Sequence, residues 1–319
     1  MKTKLIMAVM AVAALSSLTG CRHKDLMYDV PVHTSLRVVF DWRYAPDASP
    51  ESMGLGMHDT ESGQYLRYTF PGRDGGTTHI PFGSYTGVCF SDDNTDWAYF
   101  AHPDDTDLFE ISTADAEVLP ASRLGARSLP RAAGTEGERM AATPQMLWTD
   151  RVDDIILPVT MGDTTITLYP EERVCHYTVD IYDVDNFDAL TGLHIDATIS
   201  GMAEGFHPGR EQASDTPATM TFVLEARDSS RSLHAEFLTF GETPATERSH
   251  TMSIYLVDDA TGAGYHCTAD VTAQVADAPD PHHVHIVLRG IDIPVPRQGG
   301  GGLIPDVEDW QSVVVDLEM

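Results

Sequence analysis

The sequence is short of positive charge. Its 319 residues hold 20 lysines and arginines against 49 aspartates and glutamates, a formal net charge of −29 at pH 7. So acidic a body is repelled by phosphate, which excludes nucleic acid as an expected partner. Cysteine is also scarce: the four residues show no CxxC spacing and supply neither a disulfide framework nor a zinc site. Beyond the first twenty residues no apolar run approaches the ~20 residues that span a bilayer. The mature body is therefore expected to be soluble. A Gly-rich phosphate loop, a GxSxG elbow and an HExxH helix are all missing. No nucleophile pairs with a base, so neither catalysis nor a cofactor is expected, apart from covalent lipid.

What is present begins at the N-terminus. Lys2 and Lys4 form a positive patch, Leu5 to Leu15 an apolar stretch, and Leu18-Thr19-Gly20-Cys21 a small-residue cleavage site. That order is an export signal. A cysteine directly after the small residue makes it a lipoprotein signal, because the thiol accepts a diacylglyceryl group before cleavage. Residues 1–20 are thus expected to be a signal peptide, with Cys21 as the lipid attachment site. The mature chain then has 299 residues (319 − 20) and, without Lys2 and Lys4, a charge of −31 (−29 − 2). That length suits two ordinary domains. Residues 21–35 read as a lipidated tether. The charged Lys24-Asp25 within it resembles the surface-export signal of gut-type Bacteroidetes lipoproteins.

From Leu36 the pattern is that of strands. LRVVFDW, QYLRYTF and YTGVCF are β-branched or aromatic and are separated by turn residues such as Arg73 to Gly76 and Pro81 to Ser84. Residues 120–144 differ. They are rich in small residues, Gly and Pro, carry Arg123, Arg127, Arg131 and Arg139, and read as a mobile, protease-sensitive loop. The strand habit resumes with DTTITLYP and continues through HYTVDIYDV, LHIDATISGM, ATMTFVLEA, LHAEFLTFG, HTMSIYLVDD, YHCTADVTAQV and HHVHIVLRG. Gly299 to Gly302 form a hinge before a last strand around Val313 to Leu317. Many short strands with turn signals between them predict an antiparallel β-sandwich. The domains are placed at 36–160, with the loop 120–144, and at 161–319.

Several clusters could carry chemistry. His282, His283 and His285 precede or open a strand, and alternation puts His283 and His285 on one face as a candidate metal pair. No further ligand lies at fixed spacing, so surface histidines are the plainer reading and no metal is expected. Asp92, Asp93, Asn94 and Asp96, with Asp104, Asp105 and Asp107, are oxygen-rich loops that could hold calcium. They lack EF-hand spacing and read as solvated turns. Trp42, Trp97, Trp148 and Trp310 lie far apart in sequence and read as core anchors rather than a sugar-stacking cluster. Cys89, Cys175 and Cys267 read as buried small apolar groups. Export permits one disulfide, but sequence does not bring Cys175 and Cys267 together.

The order of several motifs resembles Bacteroidales lipoproteins related to the fimbrial anchor and minor subunits of type V fimbriae. The motifs are the lipobox followed by His23-Lys24-Asp25-Leu26, VVFDW (38–42), DGG (74–76), PFGSY (81–85), TPQMLW (143–148), RVCHYTVDI (173–181), ISGMAEG (199–205), FLTFG (237–241), DVTAQV (270–275), HHVHIVL (282–288) and the closing VEDWQSVVVDLEM. The resemblance covers nearly all of the mature chain. It implies two transthyretin-like β-sandwiches in tandem, an outer-membrane, cell-surface location through the lipid on Cys21, and fimbrial subunits as partners. It also implies assembly by strand exchange at a sheet edge. The alternative is a surface lipoprotein that binds glycan or a host ligand, which exposed aromatics on one face would favour.

Overall fold

In HTSLRVVF, residues 33–40, side chains alternate between solvent and interior, and Thr34, Leu36, Val38 and Phe40 are buried. That period of two makes the segment a half-buried strand, β1 (His33–Phe40). The computed structural model describes residues 33–92, 97–116, 129–158, 163–191, 193–244, 249–258, 264–293 and 311–312. The signal peptide and Cys21 lie outside the described residues. β1 takes up residues 33–35, which the sequence assigns to the tether.

β1 is the centre of a three-stranded sheet, antiparallel to β4 (Gly76–Pro81) and parallel to β10 (Thr164–Leu168). A second sheet has the order β11 (Glu171–Glu172), β9 (Trp148–Leu157), β5 (Gly83–Ser91), β2 (Ser52–Asp59), β3 (Tyr65–Pro71). Leu36, Val38, Met53, Leu55, Met57 and Leu168 fill one core of this first sandwich. Each such fully buried side chain contributes about 1.5–3 kcal/mol.

The second sandwich repeats the arrangement. β12 (Cys175–Tyr182) lies between β18 (Ser232–Thr239), antiparallel, and β21 (His283–Arg289), parallel, with β17 (Glu225–Arg227) beyond β18. The facing sheet has the order β22 (Gln311–Ser312), β20 (Gly264–Asp270), β19 (Thr251–Asp258), β13 (Leu193–Ala203), β16 (Pro217–Val223), β8 (Arg139–Ala142). Strand for strand, β10-β1-β4 matches β21-β12-β18, and β9-β5-β2-β3 matches β20-β19-β13-β16. The fold is all-β, with two tandem transthyretin-like sandwiches. Their pairings are antiparallel except at β1–β10, β12–β21, β16–β8 and β20–β22.

The sandwiches are joined by a third layer. A four-stranded sheet has the order β15 (Gln212–Ala213), β14 (Gly205–His207), β7 (Glu110–Thr113), β6 (Ala98–Ala101), so each half of the chain supplies one hairpin. Beneath it Phe90, Phe109, Ile111, Leu147, Val174 and Phe206 form a separate core. Two glycines permit the close packing. A Cβ on Gly54 would lie 2.7 Å from the Phe90 ring, which spreads over β2, and one on Gly209 would lie 1.7 Å from the Thr106 carbonyl oxygen.

Two further sequence expectations are corrected. The DTTITL strand, placed at the start of the second sandwich, is β10. It pairs with β1, and Ile166 and Leu168 enter the first core. A boundary at 160/161 would remove an interior-facing strand from the first sandwich. Alternation along a strand reports its faces, not its neighbours. The expected loop 120–144 is also partly ordered. Residues 117–128 lie outside the described residues, but 139–142 form β8, which adds to the edge of β16. Before it, Leu129 packs on Tyr255 and Val257, and the Tyr255 hydroxyl donates to the Pro130 carbonyl at 2.7 Å. Small residues build little core of their own, yet they dock well on an existing one. The hinge 299–302 and residues 313–317 lie outside the described residues; β22, between them in sequence, pairs with β20.

Candidate docking edges and exposed faces

Sheet edges expose unpaired N–H and C=O groups that attract foreign strands unless they are blunted. Most edges here carry a blunting device. β17 holds Glu225 and Arg227, β11 is Glu171–Glu172, and β8 holds Arg139. β3 holds Arg67 and ends at Pro71, and β4 ends at Pro81. β21 is guarded by a short helix, Thr272–Ala276, whose Gln274 side chain bonds to the backbone of Val287 through both its amide nitrogen and its oxygen. β6 has only four residues. β10 differs: TTITL is five residues of threonine, isoleucine and leucine, without charge or proline. Among the described residues no strand lies on its outer side.

The histidines come together on the outer face of the β17-β18-β12-β21 sheet. As alternation predicts, His283 and His285 are both exposed on one face of β21, with Val284 buried between them. Register brings His176 opposite His283, and their rings stack 5.1 Å apart at 8°. His176 Nε2 lies 2.6 Å from Glu172, and His283 Nδ1 lies 2.9 Å from Asp280. Asp180 receives two histidines at 2.8 Å each, His234 Nδ1 on Oδ1 and His285 Nε2 on Oδ2. Burial pushes the Asp180 carboxyl up, but the hydrogen bonds from His234 and His285 outweigh it and leave the group below its usual range. His282 turns elsewhere, with its Nδ1 3.8 Å from Cys175 Sγ. Among the described residues no three His, Cys, Asp or Glu side chains are arranged to hold a metal ion.

Among the described acidic loop residues, Asp92 forms an ion pair and Asp105 caps a turn. Asp92 is bidentate to Arg67 at 2.7 and 2.8 Å, and Asp105 Oδ1 accepts the backbone N–H groups of Asp107 and Leu108. Asp93, Asn94 and Asp96 lie outside the described residues, as does Trp310. Trp42 and Trp148 are buried and meet edge to face at 6.1 Å, while Trp97 packs against the third core. Cys89, Cys175 and Cys267 are free and buried.

Sequence reasoning missed an aromatic cluster at the end of the first sandwich. Parallel pairing of β1 and β10 sets Phe40 beside Leu168, so the residues that follow each strand emerge together. Tyr44, 63% exposed, and Tyr169, 36% exposed, meet edge to face with ring centroids 6.3 Å apart. The Arg43 guanidinium lies 4.7 Å above the Tyr169 ring and is tied to Asp41 at 2.5 Å. The available signals were the aromatic DWRY turn and the Tyr before Pro170, neither of which names the other.

A family model described as Domain of unknown function (DUF5119) matches residues 20–223, well over half of the chain. The chain belongs to that family. Among solved structures, a candidate adhesin from Bacteroides ovatus ATCC 8483 is similar to 88% of this chain and 99% of its own, at 18% identity and a TM-score of 0.64. This chain shares the fold of that protein. The fimbrial anchor protein Mfa2 from Porphyromonas gingivalis is similar over 82% of this chain and 91% of its own, at 12% identity and a TM-score of 0.49. A candidate polysaccharide-binding protein (DUF1812) from Bacteroides thetaiotaomicron VPI-5482 is similar over 81% and 91%, at 11% identity and a TM-score of 0.48. No curated protein matches the chain.

Proposed function

We propose that this protein is a non-catalytic lipoprotein of the outer membrane, held at the cell surface by lipid on Cys21, which anchors or accompanies type V-like fimbriae. It pairs with a pilus subunit through a sheet edge. The lipobox and the ordered motifs support the anchor, and the fold shared with a candidate adhesin supports an adhesive role. The observation that carries the reading is the edge of β10, which has no guard among the described residues, whereas the edges of β3, β4 and β21 carry one. A strand added there gains a ladder of backbone hydrogen bonds plus apolar burial. Opening such a joint exposes many groups at once, which suits a mechanical link. Several acyl chains hold a protein to a membrane far more firmly than one.

The test places charge on that edge. Thr165 is exposed and Thr167 half-buried, so a Thr165→Lys, Thr167→Lys protein is expected to fold with an unchanged melting temperature. It is expected to lose co-isolation with sheared fimbriae. Full co-isolation by the folded double variant would refute the β10 assignment.

A further inference from the structure

We infer that the Tyr44–Tyr169 cluster is a binding platform for a neutral saccharide. The inference stands apart from the fimbrial reading. It rests on four residues, Asp41, Arg43, Tyr44 and Tyr169, brought together by the parallel pairing of β1 and β10.

The rings are pre-positioned. Arg43 covers one face of Tyr169 at 4.7 Å, its guanidinium donates to the Asp41 carboxylate at 2.5 Å, and the Arg43 backbone N–H donates to the same carboxylate at 3.1 Å. The turn itself is anchored from below: Trp42 is buried, and its indole N–H donates to the Arg73 carbonyl at 2.8 Å. A ligand that stacks on such rings pays little to order them, which is the benefit of preorganisation.

The chemistry of the platform matches a sugar. A pyranose has an apolar C–H face about the size of one tyrosine ring and a rim of hydroxyls that must each find a partner. Tyr44 offers an open face for the first need. The Arg43 N–H groups, the Asp41 carboxylate and the two phenol hydroxyls supply donors and acceptors beside it, with the planar fork of arginine suited to paired contacts. Asp41, an aspartate held below its ordinary value by the bond from Arg43, is an acceptor at neutral pH as any exposed carboxylate is.

Charge selects among sugars and against other ligands. Asp41 and Arg43 cancel locally, and the whole chain carries −29, so acidic polysaccharides and anionic lipid are repelled. A stable protein partner needs about 800 Å² on each side with a desolvated apolar centre. This patch has two rings framed by an ion pair. Among the described residues the other exposed large apolar side chains, Tyr99, Leu108, Ile156 and Val223, belong to other segments of the chain.

The experiment uses the full-length lipoprotein in detergent micelles on an array of neutral glycans (maltohexaose, laminarihexaose, xylohexaose and mannohexaose), with polygalacturonate as the acidic comparison. At least one neutral glycan is expected to bind, and polygalacturonate is not. Tyr44→Ala and Tyr169→Ala are each expected to weaken that binding about tenfold, whereas Tyr44→Phe retains most of it. Tyr99→Ala, which removes an exposed tyrosine elsewhere, is expected to leave binding unchanged. All four variants should melt as the parent does, because the three tyrosines are solvent-exposed. The inference is overturned by no binding of any neutral glycan at millimolar concentration. It is equally overturned by binding that survives both alanine variants, or by a preference for polygalacturonate. None of these results bears on attachment of fimbriae.

Discussion

Gln274 holds Val287 by both ends of its amide: Nε2 donates to the Val287 carbonyl at 3.0 Å, and Oε1 accepts the Val287 N–H at 2.8 Å. One side chain thereby stands in for a neighbouring strand at the edge of β21. Its helix lies between β20 and β21 in sequence, so the guard is supplied locally by the chain that leads into the edge. The corresponding connection in the first sandwich runs from β9 to β10, and its residues 159–162 lie outside the described residues.

Removing that guard has a defined outcome. Gln274→Ala leaves a part-buried N–H and C=O without their partner, a loss of about 1–3 kcal/mol. Urea unfolding should show the lower midpoint, and size-exclusion chromatography should show concentration-dependent association as a second edge becomes available. A monomer of unchanged stability would show that the two hydrogen bonds do not protect the edge.

The Asp180 carboxylate contributes to acid stability. Its folded pKa is depressed below the ordinary value of 3.8. The stability it contributes is therefore complete above that value and is lost as pH falls through the lower, folded pKa. Asp180→Asn should destabilise the protein at pH 7 by about 1–2 kcal/mol, because a charged acceptor shared by His234 and His285 is lost. The gap between variant and parent in urea midpoint should narrow below pH 3.8. A gap that stays constant through that range would contradict the assignment. Glu236, 3.2 Å from His234 Nε2, gives the same histidine a second carboxylate, so its removal should be tested in parallel.

The three thiols should be silent until the fold opens. Burial raises all of them: Cys89 well above its ordinary value, Cys267 to about 12, and Cys175 to about 11, with the Glu172, Asp280 and Glu242 carboxylates adding to the effect at Cys175. Only the thiolate reacts with a disulfide reagent. In a Cys21→Ala protein at pH 8, no thiol should react under native conditions. Three should react in concentrated urea, with Cys175 first as denaturant rises. Fast native labelling of any of the three, or a mobility change on reduction that signals a Cys175–Cys267 bridge, would contradict the structure.

Those contrasts show what the sequence could and could not reveal. CHYTVDIY alternates perfectly, and its inward Cys175, Tyr177, Val179 and Ile181 were legible as a core face. The exposed pair His283 and His285 was legible for the same reason. The partner of DTTITL was not, because a strand's faces are written in its own residues whereas its neighbour depends on the whole topology. β8 was hidden because RMAA offers little apolar surface, and its place is fixed from outside: Arg139 bonds to Glu204, Asp115 and the Thr113 carbonyl. The Tyr44–Tyr169 contact needed the parallel β1–β10 register, which no local pattern encodes. Gln274 was hidden because helix Thr272–Ala276 is too short to announce itself by periodicity.

The central claim is that lipid on Cys21 and a sheet edge together hold fimbriae to the cell. It is tested most directly by deleting the gene and counting cell-attached and shed fimbriae by electron microscopy. The deletion strain is expected to shed fimbriae or change their length, and the wild-type gene to restore both. A Cys21→Ala copy is expected not to restore attachment, and neither is a Thr165→Lys, Thr167→Lys copy. Cells that lack the protein and yet keep normally attached fimbriae of normal length would contradict the account.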